Sequence, residues 1–233
     1  MNKILAKLAL GVVAVFGMGV AQATTFLFES GDIPSNPGGT GVTNPSGDWV
    51  ADTTGFLEYT KDGIVLEVTG AVGGTATAVR QDLVPEPGGG LGVDQGGFGN
   101  SDSMQVGEVL IIKTGNGLEL YMSNVLFNDH DHGDTTDKFT TCGGGANCGD
   151  VKLVVLNNGF IVSTFIFDLD LGSNLFNVGV AGDEFRFYAI ASGGDVDDAW
   201  YLATIDVPEP ATLALLGLGL LGFGISRRKA LTR

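Results

Sequence analysis

Hydrophobic residues along the chain occur in short runs that end at glycine, asparagine or aspartate, a pattern typical of β-strands rather than helices. In residues 184–191, for example, the apolar side chains of Phe185 and Phe187 alternate with polar ones, as in a strand with one buried face. Strands are predicted at residues 25–29, 56–60, 64–69, 108–114, 118–127, 151–156, 160–168, 184–191 and 200–207, with 76–84 as a further candidate. About nine strands at regular spacing, with no long amphipathic helix between them, predict an all-β domain.

Three connections between these runs carry the sequence signals of tight turns. Lys61-Asp62-Gly63 and Asn157-Asn158-Gly159 contain Asp-Gly and Asn-Gly, which favour the positive φ angles of hairpin turns. Gly115-Asn116-Gly117 predicts a third hairpin between the strands on either side of it. Residues 85–103 are rich in glycine and are expected to form a long loop. Together these signals predict an antiparallel β-sandwich of jelly-roll-like type.

The N-terminus has the three parts of a secretory signal peptide. Lys3 and Lys7 supply positive charge, an apolar run extends to Val20, and Ala21-Gln22-Ala23 is an A-x-A cleavage site. Cleavage by signal peptidase after Ala23 would leave Thr24 as the first residue of the exported chain.

The C-terminus combines a motif, an apolar stretch and a basic cluster. Pro208-Glu209-Pro210 precedes fifteen uncharged residues, 211–225, and Arg227-Arg228-Lys229 follows them. Two prolines so close together cannot continue a helix, so the motif predicts an extended, protease-accessible joint. As a helix, the apolar stretch would rise about 22 Å against a hydrocarbon core of about 30 Å, which is short for a permanent anchor. The basic cluster is expected to stay cytoplasmic.

This order of parts resembles the PEP-CTERM sorting signal of bacterial surface proteins, which an exosortase in the inner membrane recognises. The resemblance implies an exported protein with an inner-membrane precursor, whose mature form lies at the cell surface or outside the cell. It also implies an exopolysaccharide-producing host, with extracellular polysaccharide as a candidate partner. The predicted organisation is a signal peptide at 1–23, a β-sandwich ectodomain at 24–206 and a sorting signal at 207–233. The alternative is a plain C-terminal anchor that is never cut.

Residues 24–206, the body of the chain, differ from the two ends in charge. Six of the 12 Lys and Arg residues lie in the ends, whereas Glu209 is the one acid of 27 that does. Residues 24–206 therefore keep six basic and 26 acidic side chains, a formal charge of −20. Such a field attracts cations and repels nucleic acid, so a nucleic-acid partner is excluded.

The densest polar cluster follows the strand predicted at 118–127. Asp129, Asp131 and Asp134 can fold around one Ca²⁺, with the Asp137 carboxylate or the Asn128 carbonyl completing the shell. The spacing is not that of an EF-hand. His130 and His132 suit a transition metal instead, and a solvated acidic loop without any ion is the remaining alternative.

Two cysteines, Cys142 and Cys148, lie six positions apart in a glycine-rich segment. In an oxidising exported compartment they are expected to form a disulfide, which would contribute about 2 kcal/mol because the closed loop is short. A metal site that uses both thiolates is the alternative.

A second, weaker resemblance lies in the middle of the chain. Gln81-Asp82-Leu83, Gly89-Gly90-Leu91-Gly92-Val93, Asp102 and Glu108-Val109-Leu110 are similar to a pattern that recurs in the ectodomains of PEP-CTERM proteins. The resemblance implies one compact β domain of that type and no particular activity.

Catalytic motifs for nucleophiles, zinc proteases and nucleotides are not found in the sequence. The expected function is therefore a non-enzymatic surface or matrix protein. One alternative is a Ca²⁺-dependent glycan-binding module, which should present two or three coplanar aromatic rings on one sheet face. The candidate rings are Trp49, Phe98, Tyr121, Tyr188 and Trp200. A secreted hydrolase with two carboxylates about 5–10 Å apart in a cleft is the other.

Overall fold

The computed structural model describes residues 23–29, 32–37, 42–43, 49–51, 55–82, 89–94, 104–129, 150–169, 175–190 and 200–208. Contacts divide the chain into two compact units, one of Met1–Ala23 with Pro208–Arg233 and one of Thr24–Val207. Almost all of the described residues belong to the second unit. No helix among the described residues is long and apolar enough to cross a membrane.

The described residues contain fifteen strands. They are β1 (Ala23–Leu27), β2 (Asn36–Pro37), β3 (Val42–Thr43), β4 (Trp49–Ala51), β5 (Leu57–Lys61), β6 (Ile64–Val72), β7 (Thr75–Asp82), β8 (Gly90–Asp94), β9 (Glu108–Thr114), β10 (Leu120–Asp129), β11 (Asp150–Asn157), β12 (Phe160–Phe167), β13 (Leu175–Gly182), β14 (Glu184–Ile190) and β15 (Trp200–Pro208).

The strands form two antiparallel sheets that share β7. The first sheet has the order β5-β6-β9-β14-β11-β12, with β2 beside β5, and the second has the order β4-β7-β8-β15-β10-β13, with β3 beside β4 and β1 beside β15. Thr75 to Thr77 pair with β6 in the first sheet, whereas Ala78 to Asp82 pair with β8 in the second. The long strand β7 therefore passes from one sheet into the other.

The chain crosses repeatedly between the sheets after β9. β9, the β11–β12 hairpin and β14 lie in the first sheet, while β10, β13 and β15 lie in the second. Alternation of this kind is the connectivity of jelly-roll sandwiches. The prediction of an all-β, antiparallel, jelly-roll-like sandwich is confirmed.

Aromatic side chains from both sheets meet in the core. Phe127 of β10 packs edge-on against Phe187 of β14, with ring centroids 6.1 Å apart, and against Trp200 of β15 at 5.1 Å. All three are buried, and each fully buried side chain of this size contributes roughly 1.5–3 kcal/mol. On β14, buried and half-buried residues alternate from Glu184 to Ile190 as the sequence predicted.

Two of the predicted hairpins are confirmed. β5 and β6 pair across Asp62 and Gly63, with φ of 50° and 79°, and β11 and β12 pair across Asn158 and Gly159, with φ of 53° and 79°. Positive φ at both central residues belongs to type I′ turns, whose twist matches that of the flanking strands.

The third predicted hairpin is wrong. Across Gly115-Asn116-Gly117, β9 does not pair with β10, because β9 lies between β6 and β14 in the first sheet and β10 lies in the second. A turn does form, since the Gly117 amide donates to the Thr114 carbonyl at 3.0 Å. The chain then uses Leu118 and the residue after it to cross between the sheets, and the Leu118 side chain is 63% exposed.

The long loop predicted at residues 85–103 is also partly wrong, because it contains β8. Gly90 lies in a close approach between β8 and β15: its φ is 152°, and a Cβ there would lie 2.7 Å from the Leu202 carbonyl oxygen. The glycine that suggested a loop is thus required by packing within the sheet. β13, with Gly179 at φ 62°, was not predicted either.

Candidate functional site

The two ends of the folded unit lie side by side on neighbouring strands. The Phe28 amide donates to the Ala203 carbonyl at 2.8 Å, and the Thr25 hydroxyl donates to an Asp206 carboxylate oxygen at 2.6 Å. From Thr25 to Phe28 along β1, the partner on β15 changes from Asp206 back to Ala203, so the two strands are antiparallel. The start of β1 and the end of β15 therefore lie at the same end of the sandwich.

Asp206 is the main polar anchor at this end of the sandwich. Besides Thr25, its carboxylate accepts a hydrogen bond from Asn124 Nδ2 at 3.1 Å, and its carbonyl accepts one from the Ser123 hydroxyl at 3.0 Å. The next residue, Val207, is 1% exposed and belongs to the hydrophobic core. The fold is therefore tightly held up to the residue that precedes the Pro-Glu-Pro motif.

Thr24, the second residue of β1, is also held in the fold. Thr24 is 3% exposed, and its hydroxyl donates to an Asp62 carboxylate oxygen at 3.0 Å. The predicted signal-peptidase bond joins Ala23 to this buried residue. A protease needs an extended, accessible substrate, so we expect signal-peptide removal to precede the pairing of β1 with β15.

Of the predicted processing residues, the structure describes Ala23, an exposed residue at the start of β1, and Pro208, a half-buried one at the end of β15. The remaining ones, Ala21, Glu209, Pro210, Arg227, Arg228 and Lys229, lie outside the described residues.

A charged pair holds the segment that follows β1. Lys61 Nζ donates to both carboxylate oxygens of Asp32, at 2.9 and 3.0 Å, and to the Thr25 carbonyl at 2.7 Å. The Asp32 carboxylate also accepts a hydrogen bond from the Leu27 amide at 2.7 Å. The two charged side chains are only 33% and 21% exposed, and both ions are well supplied with partners. The arrangement fastens β1 to the β5–β6 hairpin.

Beneath this pair lies a buried polar side chain whose role the sequence pattern did not predict. Gln81 is fully buried; its Nε2 donates to the carbonyls of Phe28 and Asp32 at 2.8 Å each, and its Oε1 accepts from the Tyr59 hydroxyl at 2.9 Å. Burial, followed by the negative charge of Asp32, raises the pKa of Tyr59 well above 10.0, which keeps its hydroxyl a donor.

The middle sequence pattern has a structural explanation. Gln81 holds the turn after β1, Gly90 permits the close approach of β8 to β15, and buried Glu108 accepts a hydrogen bond from the Gln105 amide at 2.7 Å. A glutamine and a glutamate beside apolar runs were the signal in the sequence that could have identified these positions. Their contacts stabilise the fold, and none of them indicates a ligand.

The predicted calcium ligands are not brought together by any described part of the structure. Asp129 is the last residue of β10, paired with Trp200 of β15, whereas Asp131 and Asp134 lie outside the described residues. Among the described residues, no group of three or more His, Cys, Asp or Glu side chains is placed to hold a metal ion. Cys142 and Cys148 also lie outside the described residues, so the calcium site and the disulfide both stay predictions.

The candidate sugar-binding aromatics are dispersed. Trp200 is buried in the core, Tyr188 is half-buried on the first sheet with Lys152 Nζ 5.6 Å from its ring centroid, and Tyr121 is 47% exposed on the second sheet. The side chains of Trp49 and Phe98 lie outside the described part. Among the described candidates, Tyr121 and Tyr188 belong to different sheets and do not form a coplanar pair.

Comparison with known proteins bears mainly on the C-terminus. No curated protein matches the chain significantly. A solved structure, the family 32 carbohydrate-binding module of C. perfringens NanJ in complex with galactose, is similar at 13% identity over 81% of this chain and 93% of that one, with a TM-score of 0.27. A TM-score this low supports no inference about ligand. Residues 206–229 match the family model of the PEP-CTERM protein-sorting motif, so the predicted resemblance is confirmed and the chain carries this C-terminal sorting signal.

Proposed function

We propose that the folded body is a non-enzymatic component of the cell surface or extracellular matrix, released from its sorting tail at the Pro-Glu-Pro joint. The sorting motif implies export, a membrane-anchored precursor and processing by an exosortase. The supporting observation is the position of the joint. Val207 is the last buried residue of β15, and Pro208 follows it directly.

Cleavage at this joint would leave the fold intact. The hydrogen bonds of Asp206 and the buried side chain of Val207 remain on the body side of Pro208. Cleavage before Val207 would remove its side chain from the core, at a cost of about 1.5–3 kcal/mol. The end of the buried core therefore lies directly beside the Pro-Glu-Pro joint, as release of a stable domain requires.

We propose exopolysaccharide as the setting of the released domain. The formal charge of −20 on residues 24–206 disfavours anionic polymers, so the compatible matrix polysaccharides are neutral or cationic.

Intact-mass spectrometry of protein recovered from the cell surface tests this proposal. We expect a dominant species that begins at Thr24 and ends within Pro208-Glu209-Pro210. Replacing Arg227-Arg228-Lys229 by alanines should raise the secretion of unprocessed chain, because the positive stop is lost. Arg233→Ala, which removes a basic residue outside the cluster, is the matched control and should process normally. A dominant surface species that still carries the basic cluster would contradict the proposal.

A further inference from the structure

Among the described strands, β12 forms an edge of the first sheet. It is the last strand in the sheet order and pairs, among the described residues, with β11 alone. One side of its backbone is therefore available for hydrogen bonds to a further strand, which is the arrangement that strand addition uses.

The side chains of β12 are apolar and unusually exposed. Its sequence, FIVSTFIF, contains no charge, glycine or proline, although the surrounding body is strongly acidic. The exposed fractions are 77% for Phe160, 66% for Ile161, 51% for Val162 and 64% for Ile166. Natural edge strands are normally protected by charged residues, prolines, bulges or short length.

Three other edge strands among the described residues, β2, β3 and β13, have such protection. β2 and β3 have two residues each, and β2 contains Pro37. β13 contains Gly179 at φ 62°, and its pairing with β10 is interrupted between Met122 and Asn124. The register shift in β12 lies near its turn, which leaves the five residues from Ser163 to Phe167 regularly paired with β11. β12 is thus the long apolar edge among the described strands.

We propose that β12 pairs edge to edge with β12 of a second copy of this chain. A partner strand must be extended, uncharged and apolar on the face it presents, and β12 itself meets each requirement. A two-fold axis makes the same patch meet itself, as in most homodimers. This inference concerns the assembled domain and does not depend on where the tail is cut.

The proposed two-fold axis passes through Thr164, near the middle of β12. Thr164 and Ile166 lie opposite Val154 and Lys152, on the outer face. The register shift falls at Val162, which has no partner on β11 and is 51% exposed. An antiparallel pair centred on Thr164 then sets Thr164 against itself and brings Ile166 of one copy near Val162 of the other. The exposed aliphatic side chains of both copies become neighbours.

The expected dimer is weak. Eight residues make an edge about 27 Å long, and a sandwich edge about 20 Å wide with its side chains gives roughly 500 Å² per copy. Stable interfaces bury about 800 Å² per partner. The acidic bodies also repel each other, and salt screens that repulsion. Association should therefore require high protein concentration and should increase with NaCl, unlike association through ion pairs.

Sedimentation equilibrium gives the first test. Since Thr24–Val207 is a compact unit that contains the described core, a fragment of residues 24–208 can be used. We expect the dimer fraction to rise between about 10 μM and 1 mM and to rise further with 0.5 M NaCl. Ile166→Lys should raise the dissociation constant of the dimer at least tenfold. Leu118→Lys is the matched control, because Leu118 is 63% exposed and lies outside β12, in the crossing between β9 and β10.

Cross-linking tests the register. In a Cys142→Ser, Cys148→Ser background, Thr164→Cys should form a disulfide-linked dimer under mild oxidation, since directly opposed residues in an antiparallel pair have Cα atoms about 4.5–5.5 Å apart. Leu118→Cys in the same background should cross-link several-fold more slowly. A monomer at all concentrations, or equal cross-linking of the two cysteines, would overturn the proposal. So would retention of wild-type dimerisation by Ile166→Lys, or binding of β12 to lipid vesicles by a chain that remains monomeric.

Discussion

At the scale of single residues, the start of the domain depends on a few buried polar side chains. Gln81 satisfies two carbonyl groups of the segment that follows β1 and receives a hydrogen bond from Tyr59. Buried polar groups stabilise a fold only when they are hydrogen-bonded, and removal of one partner leaves the other with its full desolvation cost. Tyr59 and Gln81 therefore act as a unit, and removing either one should affect the other.

We expect Tyr59→Phe to lower the free energy of unfolding by about 1–3 kcal/mol at pH 8, because Oε1 of Gln81 loses its donor. The pKa of Tyr59 in the folded protein is raised well above 10.0 by burial and by Asp32. An unfolded tyrosine deprotonates near pH 10, so the stability from Tyr59 is fully present below that pH and is lost as pH rises above it. The difference between wild type and variant should therefore narrow above pH 10.

Urea unfolding at pH 8 and at pH 10.5 measures this change. Tyr121→Phe is the control, because the Tyr121 side chain is 47% exposed and its removal should change the free energy of unfolding by no more than about 0.5 kcal/mol. A difference between wild type and Tyr59→Phe that stays constant between the two pH values would show that the hydroxyl is not held protonated by the fold.

At the scale of elements, glycines have two distinct roles in the sheets. Gly159 completes the turn between β11 and β12 with φ 79°, and a Cβ there would meet nothing within 4 Å. Gly90 begins β8, where a Cβ would lie 2.7 Å from the Leu202 carbonyl oxygen and 3.0 Å from the Tyr201 Cβ. Gly159 is required for its positive φ alone, whereas Gly90 is required both for its φ and because a Cβ would not fit.

Alanine substitutions should separate these roles. Gly159→Ala should cost about 1–2 kcal/mol through its backbone conformation alone. Gly90→Ala should cost more, because β8 must also move away from β15 and its neighbours are backbone atoms and a Cβ that cannot rotate aside. Thermal and urea unfolding of the two variants provides the comparison. Equal losses would mean that the close approach of β8 to β15 is not a constraint.

The same distinction explains which elements could be predicted from the sequence. The two hairpins were predictable because Asp-Gly and Asn-Gly turns are local and fix the pairing of the strands beside them. β8 pairs mainly with its sequence neighbour β7, but its glycines indicated a loop, and the close approach that requires Gly90 involves the distant strand β15. The crossing from β9 to β10 was not predictable, because β14 beside β9 and β15 beside β10 lie far away in the sequence. The two predicted processing sites were visible as linear motifs, but the burial of Thr24 and Val207 beside them depends on the pairing of β1 with β15.

At the scale of the whole molecule, a strongly acidic domain contains one uncharged edge strand, β12, and buries residues near both of its ends. The acidic residues keep separate copies apart in dilute solution, whereas β12 offers a short-range contact where no charge opposes it. On a crowded surface the short-range contact would gain importance, because local concentration is high. The polar contacts of Asp206 and Thr24 would keep both ends of the body in place if the flanking segments are removed as proposed.

The charge of the body also underlies the prediction that Asp129, Asp131 and Asp134 bind Ca²⁺. Crowded carboxylates repel one another, and a divalent cation relieves that repulsion. Extracellular modules bind Ca²⁺ with dissociation constants of about 10⁻⁴–10⁻³ M, so 5 mM CaCl₂ should stabilise the fold by about 1–2 kcal/mol. For a domain of this length, that corresponds to a rise in Tm of roughly 2–8 °C.

Calorimetry in 5 mM CaCl₂ and in NaCl of equal ionic strength measures the specific part of this effect. Asp131→Asn should abolish the difference between the two salts, because it removes a central ligand. Asp195→Asn, in a separate acidic segment of the same chain, is the control and should preserve the difference. If CaCl₂ and NaCl raise Tm equally, screening accounts for the whole effect, and the segment after β10 is a solvated acidic loop.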